Sequence, residues 1–210
     1  MLYLWRIAKS MVDLMTVRST SFDTSFLLKD DQLIDVAIKV LERDSVVCFV
    51  TSTVVSELEQ LKIWGRITPL DYKRAIKRWK HSHATVIDFK NRLLSDAFGK
   101  ACILSMEKHH GVKAKDIVND CSILVSTLKN GVDLFLSEDY HFTSEITREV
   151  IDEIISAACS EYHQMCDSML YSIDVGTFLE AYRGGKVDID IIKSRMKSIR
   201  KNTKLLRDSK

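Results

Sequence analysis

Val132-Asp133-Leu134-Phe135-Leu136-Ser137-Glu138-Asp139-Tyr140-His141-Phe142 is the stretch on which the fold turns. Its Val132–Ser137 part is a short apolar run that follows the helix terminator Asn130-Gly131, and it reads as a central strand. The run then emits Ser137-Glu138-Asp139 where the strand ends. A second run, Val46-Val47-Cys48-Phe49-Val50-Thr51, is β-branched and apolar, as in a strand buried on both faces. Val17 to Phe22 is a third strand candidate, more polar because of Ser19-Thr20-Ser21, and it leads directly into Asp23.

Helical patterns separate these strands. Asp31 to Arg43 places Leu33, Ala37, Val40 and Leu41 on one face, and Ser52 or Thr53 caps a helix striped by Val54, Val55, Leu58 and Leu61. Thr68-Pro69-Leu70-Asp71 is a sharp helix start, with a capping hydroxyl, proline at the first helical position and a carboxylate at the third. Tyr72, Ile76 and Trp79 follow, and a later apolar stripe takes in Val86, Leu93 and Ala97. Further helices are expected over about 116–128 and from about Thr143, where Ile146, Val150, Ile154 and Ala158 share a face. Strands alternating with helices predict an α/β fold, a parallel central sheet with helices on both faces. The expected division is an N-terminal extension over 1–16, read as an amphipathic lead-in helix, and a domain over 17–185. That domain would carry a helical insert at about 62–113 and be followed by a basic C-terminal helix or tail over 186–210.

Of 210 residues, 46% are hydrophobic and 29% charged, ordinary for a globular domain. The net charge of +2 hides an asymmetry: residues 186–210 hold nine Lys/Arg against three Asp, whereas the first 185 hold 22 basic and 26 acidic side chains. An acidic body with a basic tail suits a polyanion or an acidic protein partner. Cysteines 48, 102, 121, 159 and 166 lack Cys-x-x-Cys spacing and read as reduced thiols of a cytoplasmic protein. No uninterrupted apolar stretch approaches the ~20 residues of a membrane-spanning helix, so no membrane partner is expected. The His81-Ser82-His83 and His109-His110 pairs lack structural-zinc spacing, and no phosphate loop or nucleophile elbow is present.

In parallel sheets ligands bind outside the carboxyl ends of the strands. Asp23 and Asp139 each lie just past such an end, and Asp120 opens an apolar helix with Asp116 one turn earlier on the same face. Asp116 also reads as a helix cap, and Asp120 as a helix-dipole carboxylate. Glu57 and Glu59 flank opposite edges of their helix's apolar stripe, and helical geometry does not choose between them. Four carboxylates within about 5 Å would repel by roughly 3 kcal/mol per pair at an effective dielectric near 20. Protonation or a cation must relieve this, and an oxygen-only site favours Mg2+ or Mn2+.

These stretches together resemble the PIN-domain nuclease family, which includes VapC-type toxin ribonucleases. The matching pieces are Asp23-Thr24-Ser25, Val55-Ser56-Glu57-Leu58 with Leu61-Lys62, Asn119-Asp120, and Leu136-Ser137-Glu138-Asp139-Tyr140-His141-Phe142, over roughly residues 17–145. The resemblance implies that Asp23, Glu57, Asp120 and Asp139 are the catalytic, metal-holding acids, and it selects Glu57 over Glu59. It implies auxiliary roles for Ser25 and Ser137, beside the Asp116 singled out by helical spacing. It also implies an endoribonuclease cutting RNA with metal-activated water, either a toxin restrained by an antitoxin or an RNA-processing enzyme, acting as a homodimer. A catalytically dormant PIN fold serving as an RNA-binding scaffold, and a structure-specific DNA nuclease, are the alternatives. The 63 positions from Glu57 to Asp120, and some sixty residues after the last motif, exceed a compact toxin of this family.

Two basic clusters are candidate RNA contacts: Lys73, Arg74, Lys77 and Arg78 beside Trp79, and Lys193, Arg195, Lys197, Arg200 and Lys201 around the apolar stripe Ile189, Ile192, Met196 and Ile199. A solvated helix face with Trp79 in the core is the other reading of the first, and a solubilising tail that of the second.

Overall fold

The structure is a computed structural model that describes residues 13–87, 97–162 and 169–196. Its centre is a five-stranded parallel sheet of β2 (Ser19–Phe22), β3 (Val47–Thr51), β4 (Thr85–Ile87), β5 (Leu134–Leu136) and β6 (Tyr171–Ile173), in the order β4-β3-β2-β5-β6. Beside it lies a three-stranded antiparallel sheet: β1 (Leu14–Thr16), β8 (Lys186–Asp188) and β7 (Tyr182–Arg183). This is the α/β class that the apolar runs predict, and the sheet is compatible with a PIN-like fold.

The helices are α1 (Thr24–Leu28), α2 (Gln32–Arg43), α3 (Ser52–Ile63), α4 (Pro69–His81), α5 (Ala97–His110), α6 (Ala114–Lys129), α7 (Tyr140–Thr143), α8 (Glu145–Tyr162) and α9 (Val175–Ala181). From β2 the chain steps outward through β3 to β4, then crosses back to β5 and β6. Right-handed crossovers place α1–α4 on one face of the sheet and α5–α8 on the other. The packing agrees: α5 lies on α6 and α8, while α4 lies on α1 and α2.

Four of the five parallel strands, β2, β3, β5 and β6, are each followed by a hydroxyl or carboxylate that starts the next helix at the same edge of the sheet. Asp23 caps α1, Thr51 caps α3, Asp139 caps α7 and Asp174 caps α9. β2 lies between β3 and β5, whose connections run to opposite sides, so the crevice of the reversal opens where β2 and β5 end.

The polar strand β2 is accommodated at its start but not in its middle. Asp133 takes hydrogen bonds from the N–H groups of Arg18 and Ser19 and from Ser19 Oγ, at 2.8, 3.0 and 3.1 Å. Thr20 and Ser21 are fully buried, and their hydroxyl oxygens have no hydrogen-bond partner among the described residues. In α2 the buried face is Ile34, Ala37, Ile38 and Leu41, so Ala37 and Leu41 of the expected stripe are buried, Val40 is partly buried and Leu33 is exposed.

Several expectations are corrected. Residues 14–16 form β1 rather than the end of a lead-in helix, because they pair with β8; residues 1–12 lie outside the described residues. The 62–113 insert is not wholly helical: Val86 sits in β4, an edge strand on β3, and Leu93 falls outside the described residues. The boundary at 186 cuts a hairpin, since Lys186–Asp188 pair with both β1 and β7. Residues 189–196 are helical as expected, with Ile189, Ile192 and Met196 buried, and Ile199 lies outside the described residues. The cysteines are not all reduced: Cys102 on α5 is joined to Cys121 on α6, with Cα atoms 5.7 Å apart, and Cys159 is also disulfide-bonded. Helix packing brings together two residues 19 apart that carry no spacing signature. Among the described cysteines Cys48 is free, and burial pushes its thiol up to about 12. No helix among the described residues is long and apolar enough to cross a membrane.

Candidate functional site

Asp23 is the buried centre of the site, with 4% of its surface exposed. Its backbone N–H donates to the carbonyl of Leu136 at 3.0 Å, which ties the end of β2 to the end of β5. Ser25 Oγ and Ser137 Oγ both donate to Asp23 Oδ2, at 2.5 and 2.8 Å. The same two hydroxyls accept from the next chain segment: Ser25 Oγ from Glu138 N at 2.9 Å, and Ser137 Oγ from Asp139 N at 3.0 Å. Both serines expected to assist the carboxylates therefore join Asp23 to the strand exit that carries Asp139.

Glu57 and Glu59 part company in α3. Thr24 Oγ1 donates to Glu57 Oε2, which turns the half-buried Glu57 towards the start of α1. Glu59 is exposed, accepts from the Tyr72 hydroxyl and lies 3.9 Å from Lys62 Nζ. Asp120 reaches the site from α6, which is tied to α3 by a 2.8 Å hydrogen bond between Thr53 and Ser122 hydroxyls.

The four acids act on one another electrostatically. Burial raises Asp23 to about 6; its Ser25 and Ser137 hydrogen bonds oppose the rise, and the Glu57 charge adds to it. Burial first, and then the Asp139, Asp23 and Glu57 charges, together raise Asp120 to about 7 against the pull of His141. Among the described residues, however, no three Asp, Glu, His or Cys side chains already form a ligand set for one ion. The acids are neighbours, with Asp23 Oδ2 and Asp139 Oδ1 also engaged as helix caps. An oxygen-only group in which Asp23 and Asp120 resist ionisation fits a hard divalent cation, because the cation would supply the missing positive charge.

Asp116 is exposed in the first turn of α6 and is not among the charges acting most strongly on Asp120. Nor is it the cap, which is Lys113 without a side-chain bond. Two histidines join the site without any mark in the pattern of acids. His141 Nδ1 lies 3.6 Å from Asp120 Oδ2 and 3.9 Å from Asp139 Oδ1. The His110 ring stands 5.2 Å from that of His141, and burial, with His141 and His109 nearby, lowers it to about 4. His141 is visible within the Ser137-Glu138-Asp139-Tyr140-His141 motif, but nothing in the sequence links it to a residue 31 positions earlier.

The first basic cluster divides. Arg78 is buried and binds the carbonyls of Leu27, Lys29 and Asp31 and the Asp35 carboxylate, so it is a structural group and not an RNA contact. Arg74 is half-buried and paired with Asp30 and Asp71. Lys73 and Lys77 are exposed. Trp79 is partly buried, its Nε1 donating to the carbonyl of Ala84 at 2.9 Å. In the second cluster Lys193 lies 3.8 Å from Asp13 and Arg195 pairs with Glu180, while Lys197, Arg200 and Lys201 lie outside the described residues.

The Ser137→Ala variant tests the electrostatic reading. Losing a hydrogen bond to a carboxylate is worth ~1.5–3 kcal/mol, so the Asp23 midpoint should rise by about one pH unit or more. Carbon-13 side-chain titration by NMR measures it, and an unmoved midpoint would break the Ser137–Asp23 link.

The chain matches no family model, no curated protein and no solved structure.

Proposed function

We propose that this chain is a PIN-type endoribonuclease that hydrolyses RNA phosphodiester bonds with water activated at Mg2+ or Mn2+. One observation carries the reading. Asp23, Glu57, Asp120 and Asp139 come from four separate segments, and their charges meet at the carboxyl edge of a parallel sheet, at its topological reversal.

Each acid has a part in holding the ion. Asp23 is fixed by two serine hydroxyls and Glu57 by that of Thr24, so neither must be ordered when the ion arrives. Asp120 and Asp139 approach from the other side, with His141 beside both. Held by Asp23, Glu57, Asp120 and Asp139, a hard divalent cation would lower the pKa of a bound water and offset charge developing on the phosphate. His141 places a proton-carrying group within reach of the same two carboxylates. A toxin held by an antitoxin and an RNA-processing enzyme are the two settings for this activity, and a neighbouring gene for a small DNA-binding antitoxin would mark the first.

The test is cleavage of RNA and of DNA of the same sequence by the purified chain, with Mn2+, with Mg2+ and with EDTA. RNA should be cut with either metal and not in EDTA. Asp139→Asn should lose roughly 10²-fold or more of the rate, as when a charge-stabilising group is removed from a reaction centre. Cleavage that persists in EDTA and in this variant would remove the proposed mechanism.

A further inference from the structure

The two faces of α4 differ in what their cations do. On the inner face Arg78 and Arg74 hold the carbonyls of Leu27, Leu28, Lys29 and Asp31, four to eight residues beyond Asp23. On the outer face Lys73, Lys77 and Lys80 follow at i, i+4 and i+7, which sets them in one row. All three are exposed, and with Ile76, His81 and His83 they line an open groove of about 480 Å3.

Among the described residues, the ion pairs of this helix run from Arg74, Arg78 and His81, not from the lysine row. On α2, Glu42 lies 3.7 Å from His81, and Asp35 is engaged by Arg78, with a weaker pull from Lys77. Lys39 of α2 adds a further cation where Lys77 and His81 border a second groove of about 210 Å3. Like charges one turn apart cost a helix a few tenths of a kcal/mol per pair. The row therefore weakens α4 unless something negative lies along it. It spans ~10 Å, long enough to face more than one phosphate of a single strand. Because the inner arginines fasten α4 to the segment leaving Asp23, the row is held about one helix thickness, ~10–12 Å, from that segment.

We propose that Lys73, Lys77 and Lys80 bind consecutive phosphates of a single RNA strand. The inference rests on the nuclease reading for the identity of the strand, and it deepens that reading by giving the strand a track outside the carboxylates. The contacts are to backbone, so they confer affinity without base preference. The polymer is required, because one phosphate engages only one lysine at a time.

The experiment uses the full chain in EDTA with a fluorescein-labelled single-stranded RNA, reading anisotropy across a salt series. Replacing the row (Lys73→Gln, Lys77→Gln, Lys80→Gln) should weaken binding roughly tenfold or more at low salt and reduce the log–log salt slope by about 2, at ~0.7 per phosphate. Unlabelled RNA should displace the probe, whereas inorganic phosphate at matched phosphate concentration and poly-L-glutamate should not. An unchanged slope overturns the proposal. Equal displacement by poly-L-glutamate also overturns it, by making the groove a site for acidic protein. Lys77→Gln alone should lower the slope by about 0.7, so the comparison survives if the triple variant is destabilised. Binding is read without metal, so the two readings fail separately. A chain that binds here and cuts nothing with Mn2+ keeps the groove and loses the nuclease, and one that cuts with an unchanged slope does the reverse.

Discussion

Asp120→Asn is expected to make the metal-free protein more stable at pH 8 while removing the proposed cleavage activity. Asp120 is held up to about 7 by burial and by the Asp139, Asp23 and Glu57 charges. At pH 8 it is ionised in the folded and unfolded chain alike, so the folded state carries the full repulsion. The amide keeps the shape and removes the charge. A displacement of about three pH units corresponds to on the order of 3–4 kcal/mol, and a fraction of that should appear as added stability because neighbouring acids relax in response. The proposed cleavage should slow roughly 10²–10³-fold, since a group proposed to hold the ion is lost. Stability and activity moving in opposite directions is the mark of a site whose strain is part of its function.

The pH dependence has a definite sign. Below about pH 4 Asp120 is protonated in both states and contributes nothing. Between about 4 and 7 the folded chain binds more protons at this position than the unfolded chain, so stability falls as pH rises through that window. Asp23 adds a fall of the same sign between about 4 and 6. The gap between Asp120→Asn and the parent should therefore be near zero at pH 4 and full by pH 8, measured by urea unfolding in EDTA. Mn2+ should raise the unfolding midpoint of the parent at pH 8 and leave the variant nearly unmoved. A variant less stable than its parent at pH 8 would mean that Asp120 makes a favourable contact there, and the cluster would not be a centre of repulsion.

How far the sequence disclosed this arrangement depends on the kind of signal each part carries. β3 and β5 were legible because a short run that is β-branched or apolar at successive positions suits a strand covered on both faces and little else. The same feature placed Asp23 and Asp139 at one edge. β4 and β6 were not legible: three-residue strands such as Thr85-Val86-Ile87 and Tyr171-Ser172-Ile173 are too short for a period, and they are strands only because β3 and β5 offer them an edge. The antiparallel sheet is a still stronger case, since β1 and β8 meet across more than 160 residues. Helical geometry left Glu57 and Glu59 open, and the difference between them is tertiary: Thr24 waits for one, Tyr72 and Lys62 for the other. The basic run on α4 misled for a related reason. Arg74 and Arg78 look like Lys73 and Lys77 in a charge count, yet the inner arginines donate to carbonyls of the α1–α2 turn and to the carboxylates of Asp30, Asp71 and Asp35.

Arg78 gives the largest expected loss of stability. Its guanidinium, 3% exposed, donates to the carbonyls of Leu27, Lys29 and Asp31 at 3.0, 2.5 and 2.8 Å, and to both oxygens of Asp35 at 3.1 and 3.0 Å. In return it holds the Asp35 carboxyl below the usual carboxylate range. Arg78→Met keeps the length of the side chain and removes every donor. The carbonyls of Leu27, Lys29 and Asp31 then lose the guanidinium, those of Lys29 and Asp31 keeping the N–H groups of Asp31 and Ile34, while the half-exposed Asp35 can turn to water. Hydrogen bonds to a charged group are worth ~1.5–3 kcal/mol, and with Asp35 half-exposed and two carbonyls keeping backbone donors the whole set is worth about 3 kcal/mol. For a chain of this size that is a fall of roughly 6–12 °C in Tm, at 2–4 °C per kcal/mol. Arg78→Lys should recover little, because one ammonium cannot span acceptors spread around a planar fork. A surface RNA contact would behave in the opposite way, with Tm unchanged and RNA affinity reduced in proportion to one lost charge. Thermal unfolding of the two variants, with anisotropy on the same samples below Tm, therefore decides whether Arg78 serves the turn that follows Asp23 or the RNA.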